Sequence, residues 1–182
     1  NGHLILASEA VHQFDIDKVL FILSPNPPQK RNNEITSLPH RLNMLSLALE
    51  GNDIFEISEI DINRPGPHFA VDTMKILHNT YPNSHFTYLM GKDSLRDLPT
   101  WGRPTEFLSY CDNLGVMSRE NSDEDFSSLY SHFPNISNKL NWLDTPNFDI
   151  SSRDIRKRIR NNIPVKYHLS LKVHQYILEN NL

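Results

Sequence analysis

The chain has 182 residues, 38% of them hydrophobic and 22% charged, which is typical of one globular domain with its own core. Its net charge of −4 excludes a general basic surface for nucleic acid, and it has no apolar run long enough to span a membrane. The single cysteine, Cys111, excludes an internal disulfide and favours a reducing compartment. We therefore predict a cytoplasmic protein that binds neither nucleic acid nor membranes.

The first half of the chain alternates helix and strand. Apolar residues in 4–14 recur at helical spacing, and 19–23 (VLFIL) is the continuous apolar run of a strand buried on both faces. Leu42, Leu45 and Leu49 predict a second helix, with Ser37 as its cap and Gly51 just past its end. The segment 55–62 (FEISEIDI) alternates like a strand, but its apolar positions slip near Ser58 and Glu59, which predicts a β-bulge.

The second half continues the same alternation. Its predicted elements are a helix around 71–77, a strand over 85–91, a short helix over 107–110, strands over 113–118 and 139–144, and helices over 150–159 and 169–177. The polar, acidic segment 120–138 is predicted to be a surface excursion. Strand–helix alternation of this kind indicates a parallel sheet with helices on both faces, so we predict a single Rossmann-like, doubly wound α/β domain.

Uncommon polar residues follow the predicted strands, where open parallel sheets bind their ligands. Each has an ordinary alternative: Lys30 as a solvated charge, Ser151 as a helix cap with Asp154, and Trp101 as a core anchor. His3 lies in the first turn of the first helix, where unpaired backbone N–H groups favour an anion. Together these residues favour one pocket for an anion and a nucleotide.

The basic helix 153–160 (RDIRKRIR) is a weaker indication of nucleic acid than its composition suggests. Its cations point all round the helix, with Ile155 and Ile159 as the buried stripe, which favours a solvated helix with one or two functional arginines. The nine histidines show no zinc-binding spacing. We predict no structural metal.

Four segments carry a resemblance to a known family. The segments are YLMGKDSLRDLPTWGRP (88–104), NGHLILA (1–7), SPNPPQK (24–30) and ISSRDIR (150–156). With them the chain resembles the bacterial nicotinate-nucleotide adenylyltransferases, in the nucleotidyltransferase superfamily that an H-x-G-H motif marks. The resemblance implies transfer of an adenylyl group from ATP, with Mg²⁺, to nicotinate mononucleotide, giving nicotinate adenine dinucleotide and pyrophosphate in NAD biosynthesis.

The resemblance also implies roles for individual residues. It implies that Trp101 offers its face to the pyridine ring, and that backbone N–H groups near Thr73 and Gly102 meet the carboxylate, so that nicotinate is preferred over nicotinamide. The expected catalytic residues are His3 and Arg156. The ATP site is expected to contain His3, Gly91, Asp93, Ser151, Ser152 and Arg156. The nicotinate mononucleotide site is expected to contain Lys30, Thr73, Trp101, Gly102 and Arg119.

The sequence departs from the family pattern in several places. Gln29 stands at a usual histidine, Ala70 at a common hydroxyl residue, and Arg153 at a frequent threonine or serine, so Ser151 and Ser152 would supply the hydroxyls. The family also has a first strand, a glycine-rich turn and an earlier histidine that would fall directly before Asn1. We therefore expect 1–182 to be a single nucleotidyltransferase domain that lacks this strand and histidine.

Two alternatives stay open at this point. A pantetheine-phosphate adenylyltransferase shares the histidine and I-S-S elements, although the segment LPTW (98–101) argues against it. A nucleotide-binding module that has lost catalysis is the other alternative. Assembly into a homo-oligomer is compatible with either function.

Overall fold

The computed structural model describes residues 2–25, 35–117, 125–145 and 151–182. Two predicted ligand-binding residues, Lys30 and Arg119, lie outside these ranges. The described elements, in chain order, are α1 (Gly2–Phe14), β1 (Val19–Ile22), α2 (Leu38–Leu49), β2 (Phe55–Ser58), α3 (Ala70–Thr80), β3 (Thr87–Gly91), α4 (Lys92–Asp97), α5 (Pro104–Ser109), β4 (Asn113–Met117), α6 (Ser127–His132), β5 (Leu140–Leu143), α7 (Ser152–Arg160) and α8 (Leu171–Glu179).

The strands form two parallel sheets. In one sheet β1 pairs with β2, Val19 opposite Phe55, and in the other the strand order is β3-β4-β5, with Thr87 of β3 opposite Asn113 of β4. The parallel α/β architecture confirms the predicted fold class. In the described residues the strands are divided between two sheets, because the facing strands β1 and β3 are not hydrogen-bonded to each other.

Helices cover both faces of the three-stranded sheet. Side chains alternate along β3, so that Leu89 packs with α1 in one cluster while Met90 packs with α3, α4 and α5 in the other. On the α1 face, a Cβ added to Gly115 would lie 2.6 Å from Leu89 Cδ2 and 3.0 Å from Phe14 Cε2. Glycine at this position of β4 therefore lets α1 lie close to the sheet.

Two sequence predictions need correction. The predicted bulge at Ser58 and Glu59 is wrong, because β2 ends at Ser58 and the chain turns, with the Asn63 N–H donating to the Glu59 carbonyl at 2.9 Å. The segment 120–138 is not only a surface excursion. From residue 125 onward it forms α6 and a short 3₁₀ helix, which bury Leu129 and Ile136 in the core.

The only cysteine of the chain lies in the same core. Cys111 follows α5, is 1% exposed, and burial raises the pKa of its thiol to about 12. Its Sγ lies 3.4 Å from the carbonyl oxygen of Phe107, one turn earlier. Among the described helices, none combines the length and apolar character that crossing a bilayer requires.

Candidate active site

A cavity of about 1300 Å³ runs between the two sheets. Strand β1 forms one wall and β3 the other, and α1, α2 and α3 add side chains. The cavity brings five of the predicted site residues into one lining: His3, Thr73, Gly91, Trp101 and Ser152. Four more, Asp93, Gly102, Ser151 and Arg156, stand one to four residues away from these in the chain but do not line the cavity.

The carboxyl end of β3 leaves room beside its last residue, Gly91. A Cβ added to Gly91 would meet no atom of the described residues within 4 Å. Asp93 follows in the first turn of α4, with its side chain 77% exposed and its Oδ1 3.7 Å from Nη1 of Arg96. His3 is exposed in the first turn of α1. A ligand can therefore approach the backbone at Gly91 closely, as predicted for a nucleotide.

Helix α7 begins with a capped N-terminus beside the cavity. The Ser151 hydroxyl oxygen accepts a hydrogen bond from the Asp154 N–H at 3.0 Å, and the hydroxyl in turn donates to the Asp154 carboxylate. The predicted cap is confirmed, and it engages the hydroxyl that the resemblance assigned to ATP. Ser152, the first residue of the helix, lines the cavity instead.

Arg156 projects from the exposed side of α7. It makes no hydrogen bond or ion pair with any residue that the structure describes, whereas its neighbour Ile155 is buried. An exposed arginine near a helix N-terminus can bind a phosphate without first breaking an internal ion pair.

Trp101 combines the two roles that the sequence left open. Its ring packs edge-on against Tyr88 at 6.1 Å between centroids and tilts against Phe107 at 5.2 Å, so part of it belongs to the core. It is only half-buried and also lines the cavity. Aromatic neighbours thus fix the ring beside the cavity.

The segment after Trp101 is attached to the start of α3. A Cβ added to Gly102 would lie 3.0 Å from Cδ1 of Phe69, the N-cap residue of α3, so the phenyl ring lies directly on the Gly102 backbone. Arg103 forms an ion pair with Asp72 in the first turn of α3. Its hydrogen bond to the Asp72 carboxylate raises the pKa of the guanidinium. The predicted neighbours Thr73 and Gly102 therefore belong to two elements in contact.

Thr73 is held by hydrogen bonds within the protein. Its side chain is buried and its hydroxyl donates to Asp61 Oδ1 at 2.8 Å, while its N–H donates to the Phe69 carbonyl at 3.3 Å. The expectation that N–H groups near Thr73 meet a substrate carboxylate stays a prediction, and the helix itself uses the N–H of Thr73. Thr73 lines the cavity as part of its wall.

Sequence reasoning missed the two partners of this wall, Asp61 and Arg64. They form an ion pair of 2.9 Å in which the side chains are 7% and 15% exposed. The opposite charges three residues apart in DINR (61–64) could have indicated this ion pair. The prediction of a continuous strand over 55–62 hid it, because residues three apart in a strand point to opposite faces.

Arg41 was missed as well. Its guanidinium donates to the carbonyl oxygens of Ser24 at 2.9 Å, Pro25 at 2.7 Å and Thr36 at 3.0 Å. Partial burial lowers its pKa. One arginine of α2 therefore holds the chain that leaves β1 and the chain that enters α2.

Comparison of the sequence with known proteins finds one family over most of the chain. Residues 1–158 match the family model described as cytidylyltransferase-like. The chain is 36% identical to a probable nicotinate-nucleotide adenylyltransferase of Thermomicrobium roseum, over all of this chain and 85% of that protein. It is 32% identical to the nicotinate-nucleotide adenylyltransferase of Bacillus subtilis, over all of this chain and 90% of that protein.

The chain belongs to the cytidylyltransferase-like family, among the nicotinate-nucleotide adenylyltransferases. Two solved structures share the fold of this chain. The nicotinic acid mononucleotide adenylyltransferase of Plasmodium falciparum, complexed with NaAD, superposes with a TM-score of 0.75 at 16% identity, covering 100% of this chain and 88% of that one. Its complex with APC gives a TM-score of 0.74 at 17% identity, with 99% and 89% covered.

The donor set at the site suits phosphate better than a bare metal ion. In the described ranges no three His, Cys, Asp or Glu side chains come together to hold a metal. Near the carboxyl ends of the strands, the lining and α7 offer imidazole, hydroxyl and guanidinium groups, whereas Mg²⁺ prefers carboxylates, water and substrate phosphates. The carboxylates that line the cavity, Asp15 and Asp17, precede β1 and lie at its opposite end. The residues present therefore fit a Mg²⁺ ion that arrives on the phosphates of a nucleotide.

Proposed function

We propose that this protein transfers the adenylyl group of ATP to nicotinate mononucleotide, giving nicotinate adenine dinucleotide and pyrophosphate. The observation that carries the proposal is the cavity between the sheets. Its lining contains His3 and Ser152, which lie at the N-termini of two helices and can bind phosphate groups. The same lining contains the aromatic ring of Trp101. The names of the relatives over the full chain support this acceptor.

The proposed reaction needs positioning and charge stabilisation more than covalent chemistry. A phosphate oxygen of the mononucleotide attacks the α-phosphorus of ATP in line, the bond to pyrophosphate breaks, and no enzyme-bound intermediate forms. The backbone N–H groups in the first turns of α1 and α7, with the positive ends of these helix dipoles, favour the phosphates. His3 and Arg156 add donors for the charge that develops in the transition state. Mg²⁺ bound to ATP neutralises part of the phosphate charge.

Trp101 and the start of α3 form one wall of the cavity, which we call the acceptor wall. We assign to it the choice of nicotinate over nicotinamide mononucleotide as the acceptor. The indole face stacks on the pyridine ring, and the N-terminal end of α3, which begins at Ala70, favours a carboxylate over a neutral amide. Lys30 and Arg119 remain proposed contacts of the mononucleotide phosphate. The cytoplasmic location stays a prediction from cysteine usage.

A panel of acceptors tests the activity. The natural full-length protein is incubated with ATP, Mg²⁺ and either nicotinate mononucleotide, nicotinamide mononucleotide or phosphopantetheine, and pyrophosphate release is measured. We expect release mainly with the nicotinate compound. Fastest release with phosphopantetheine would identify the pantetheine-phosphate enzyme. ATP binding without release from any acceptor would identify a non-catalytic module.

We also infer that the cavity holds a further parallel strand of the natural protein, with substrates at its carboxyl end. In the described chain β1 and β3 each pair on one side only, so their facing edges present backbone N–H and C=O groups without a strand partner. Such edges inside a sheet are costly unless a strand fills the space. This position suits the strand, glycine turn and histidine that the resemblance places before Asn1.

Truncation tests this inference. Chain 1–182 alone should fold poorly and transfer no adenylyl group, and restoring the upstream segment should recover both. Changing only the upstream histidine to alanine should remove rate and spare the fold, as judged by circular dichroism. An unrelated upstream segment of equal length is the control. A stable, active protein beginning at Asn1 would contradict the inference.

A further inference from the structure

A buried ion pair lies behind the wall of the cavity rather than in it. Asp61 Oδ1 accepts hydrogen bonds from Arg64 Nε at 2.9 Å and from the Thr73 hydroxyl at 2.8 Å, and Arg64 Nη2 lies 2.9 Å from the same oxygen. Neither Asp61 nor Arg64 lines the cavity. An ion pair removed from water needs further hydrogen bonds to offset its desolvation. The partners of Arg64 show where those bonds go.

Arg64 ties the ion pair to the chain that leads into α3. Its Nη1 donates to the Pro67 carbonyl at 3.2 Å, and its Nη2 donates to the Phe69 carbonyl at 3.4 Å and to Thr73 Oγ1 at 3.2 Å. A planar guanidinium fixes several acceptors in one geometry, which an ammonium group cannot do. The position of Phe69 therefore depends on Arg64, and that of Arg64 on Asp61.

Phe69 connects this network to the aromatic wall. Its ring lies on the backbone of Gly102, as the 3.0 Å approach of an added Cβ shows, and Gly102 follows Trp101 directly. A shift at Phe69 would be transmitted to the Trp101–Gly102 segment, because the phenyl ring is in direct contact with the Gly102 backbone. The network thus ends at residues assigned to the pyridine ring.

We propose that Asp61 and Arg64 are positioning residues for the pyridine nucleotide: they fix the start of α3 and, through Phe69, the Trp101–Gly102 segment against which the ring rests. This inference rests on the proposed function. It predicts a selective defect. Loss of the pair loosens the acceptor wall while the phosphate side, built on α1 and α7, keeps its geometry.

The test compares three variants in the natural full-length protein. Asp61→Asn keeps the shape and removes the charge, and Thr73→Val removes only the hydroxyl link. Glu50→Gln is the matched control, because it also replaces a carboxylate by an amide, in the exposed ion pair with Lys172. KM for nicotinate mononucleotide, KM for ATP, kcat and melting temperature are measured for each.

We expect Asp61→Asn to raise KM for nicotinate mononucleotide ~10-fold or more, with KM for ATP and kcat within ~2-fold of the parent, since uniform binding of one substrate is lost. Thr73→Val should show the same split with a smaller rise. Glu50→Gln should change neither KM. A ratio of nicotinate to nicotinamide turnover that falls in Asp61→Asn would strengthen the assignment.

Three outcomes separate the hypotheses. A parent protein with no transfer to nicotinate mononucleotide overturns the proposed function itself. An active parent whose folded Asp61→Asn variant keeps its KM, or raises both KM values equally, overturns this inference and leaves the function intact. Should Asp61→Asn not fold, Thr73→Val decides, and an unchanged KM in that variant overturns the inference.

Discussion

The acceptor wall and the phosphate side of the cavity are built in different ways. The wall consists of buried or half-buried groups that touch one another: Trp101 packs on Tyr88 and Phe107, and Thr73 is bonded to Asp61. On the phosphate side, Arg156 and Asp93 are exposed. The wall fixes a shape, whereas the phosphate side presents charge.

This difference fits two recognition tasks. A flat ring and its carboxylate must be told from near-isosteric analogues, which requires a rigid surface and donors in fixed places. Phosphates are strongly charged, so helix N-termini and an accessible arginine suffice to hold them. Wall variants should therefore alter both stability and selectivity, and variants of the exposed charged groups on the phosphate side should alter rate alone.

The largest effect is expected at Arg156. Arg156→Ala should lower kcat/KM ~100-fold, as removal of a group that stabilises transition-state charge does. The melting temperature should stay nearly unchanged, since exposed arginines contribute little to folding. Arg160→Ala, exposed on the same helix, is the control and should keep full rate. Full activity in Arg156→Ala would remove its assigned role.

Trp101 should give an intermediate and selective effect. Trp101→Ala should weaken nicotinate mononucleotide binding by ~1–3 kcal/mol, the scale of a base–aromatic stack. ATP binding, measured by calorimetry, should change little. The melting temperature should also fall, because the ring packs on Tyr88 and Phe107. Equal losses for both substrates would make Trp101 a core anchor only.

The smallest effect is expected at the cap of α7. Ser151→Ala should destabilise the protein by ~0.5–2 kcal/mol and slow the reaction, because the lost cap frees the helix start beside Ser152. Asp125→Ala removes a comparable side-chain acceptor at the start of α6, where the Asp125 carboxylate accepts from the Ser127 N–H at 2.8 Å, away from the cavity lining. That control should lose similar stability in denaturant melts and keep its rate. Equal rate losses in both variants would contradict a local role for α7.

Hydrophobic periodicity predicted most elements because their apolar faces are set locally. It failed where tertiary packing imitates a local pattern. Ile60 packs against the core from a turn, so its spacing extended the alternation of β2 beyond its end. In the acidic segment, Leu129 and Ile136 are buried, but most of their neighbours in the sequence are polar. The polar composition of the segment therefore predicted a surface excursion. The division into two sheets depends on which strands pair with each other, and hydrophobic periodicity does not predict strand pairing.

The candidate site divides in the same manner. The resemblance pointed to Trp101, Gly91 and Ser152, since these lie in motifs with fixed spacing, and the structure places all three on one cavity. Asp61 and Arg64 lie in no such motif. Their importance follows from burial and from bonds to Phe69 and Thr73, which only the folded chain brings within reach.

Because Cys111 is buried, the rate at which its thiol is chemically labelled reports how often the structure around it opens. A thiol with a pKa of about 12 is almost wholly protonated at neutral pH, and alkylating reagents attack the thiolate. The folded protein should resist them, so any labelling must follow a transient opening of the contact between α5 and the three-stranded sheet. Because no second cysteine competes, the labelling rate relative to that of the unfolded chain gives the free energy of that opening. A mass spectrometer could then follow how a bound nucleotide tightens one part of the fold without any probe being attached.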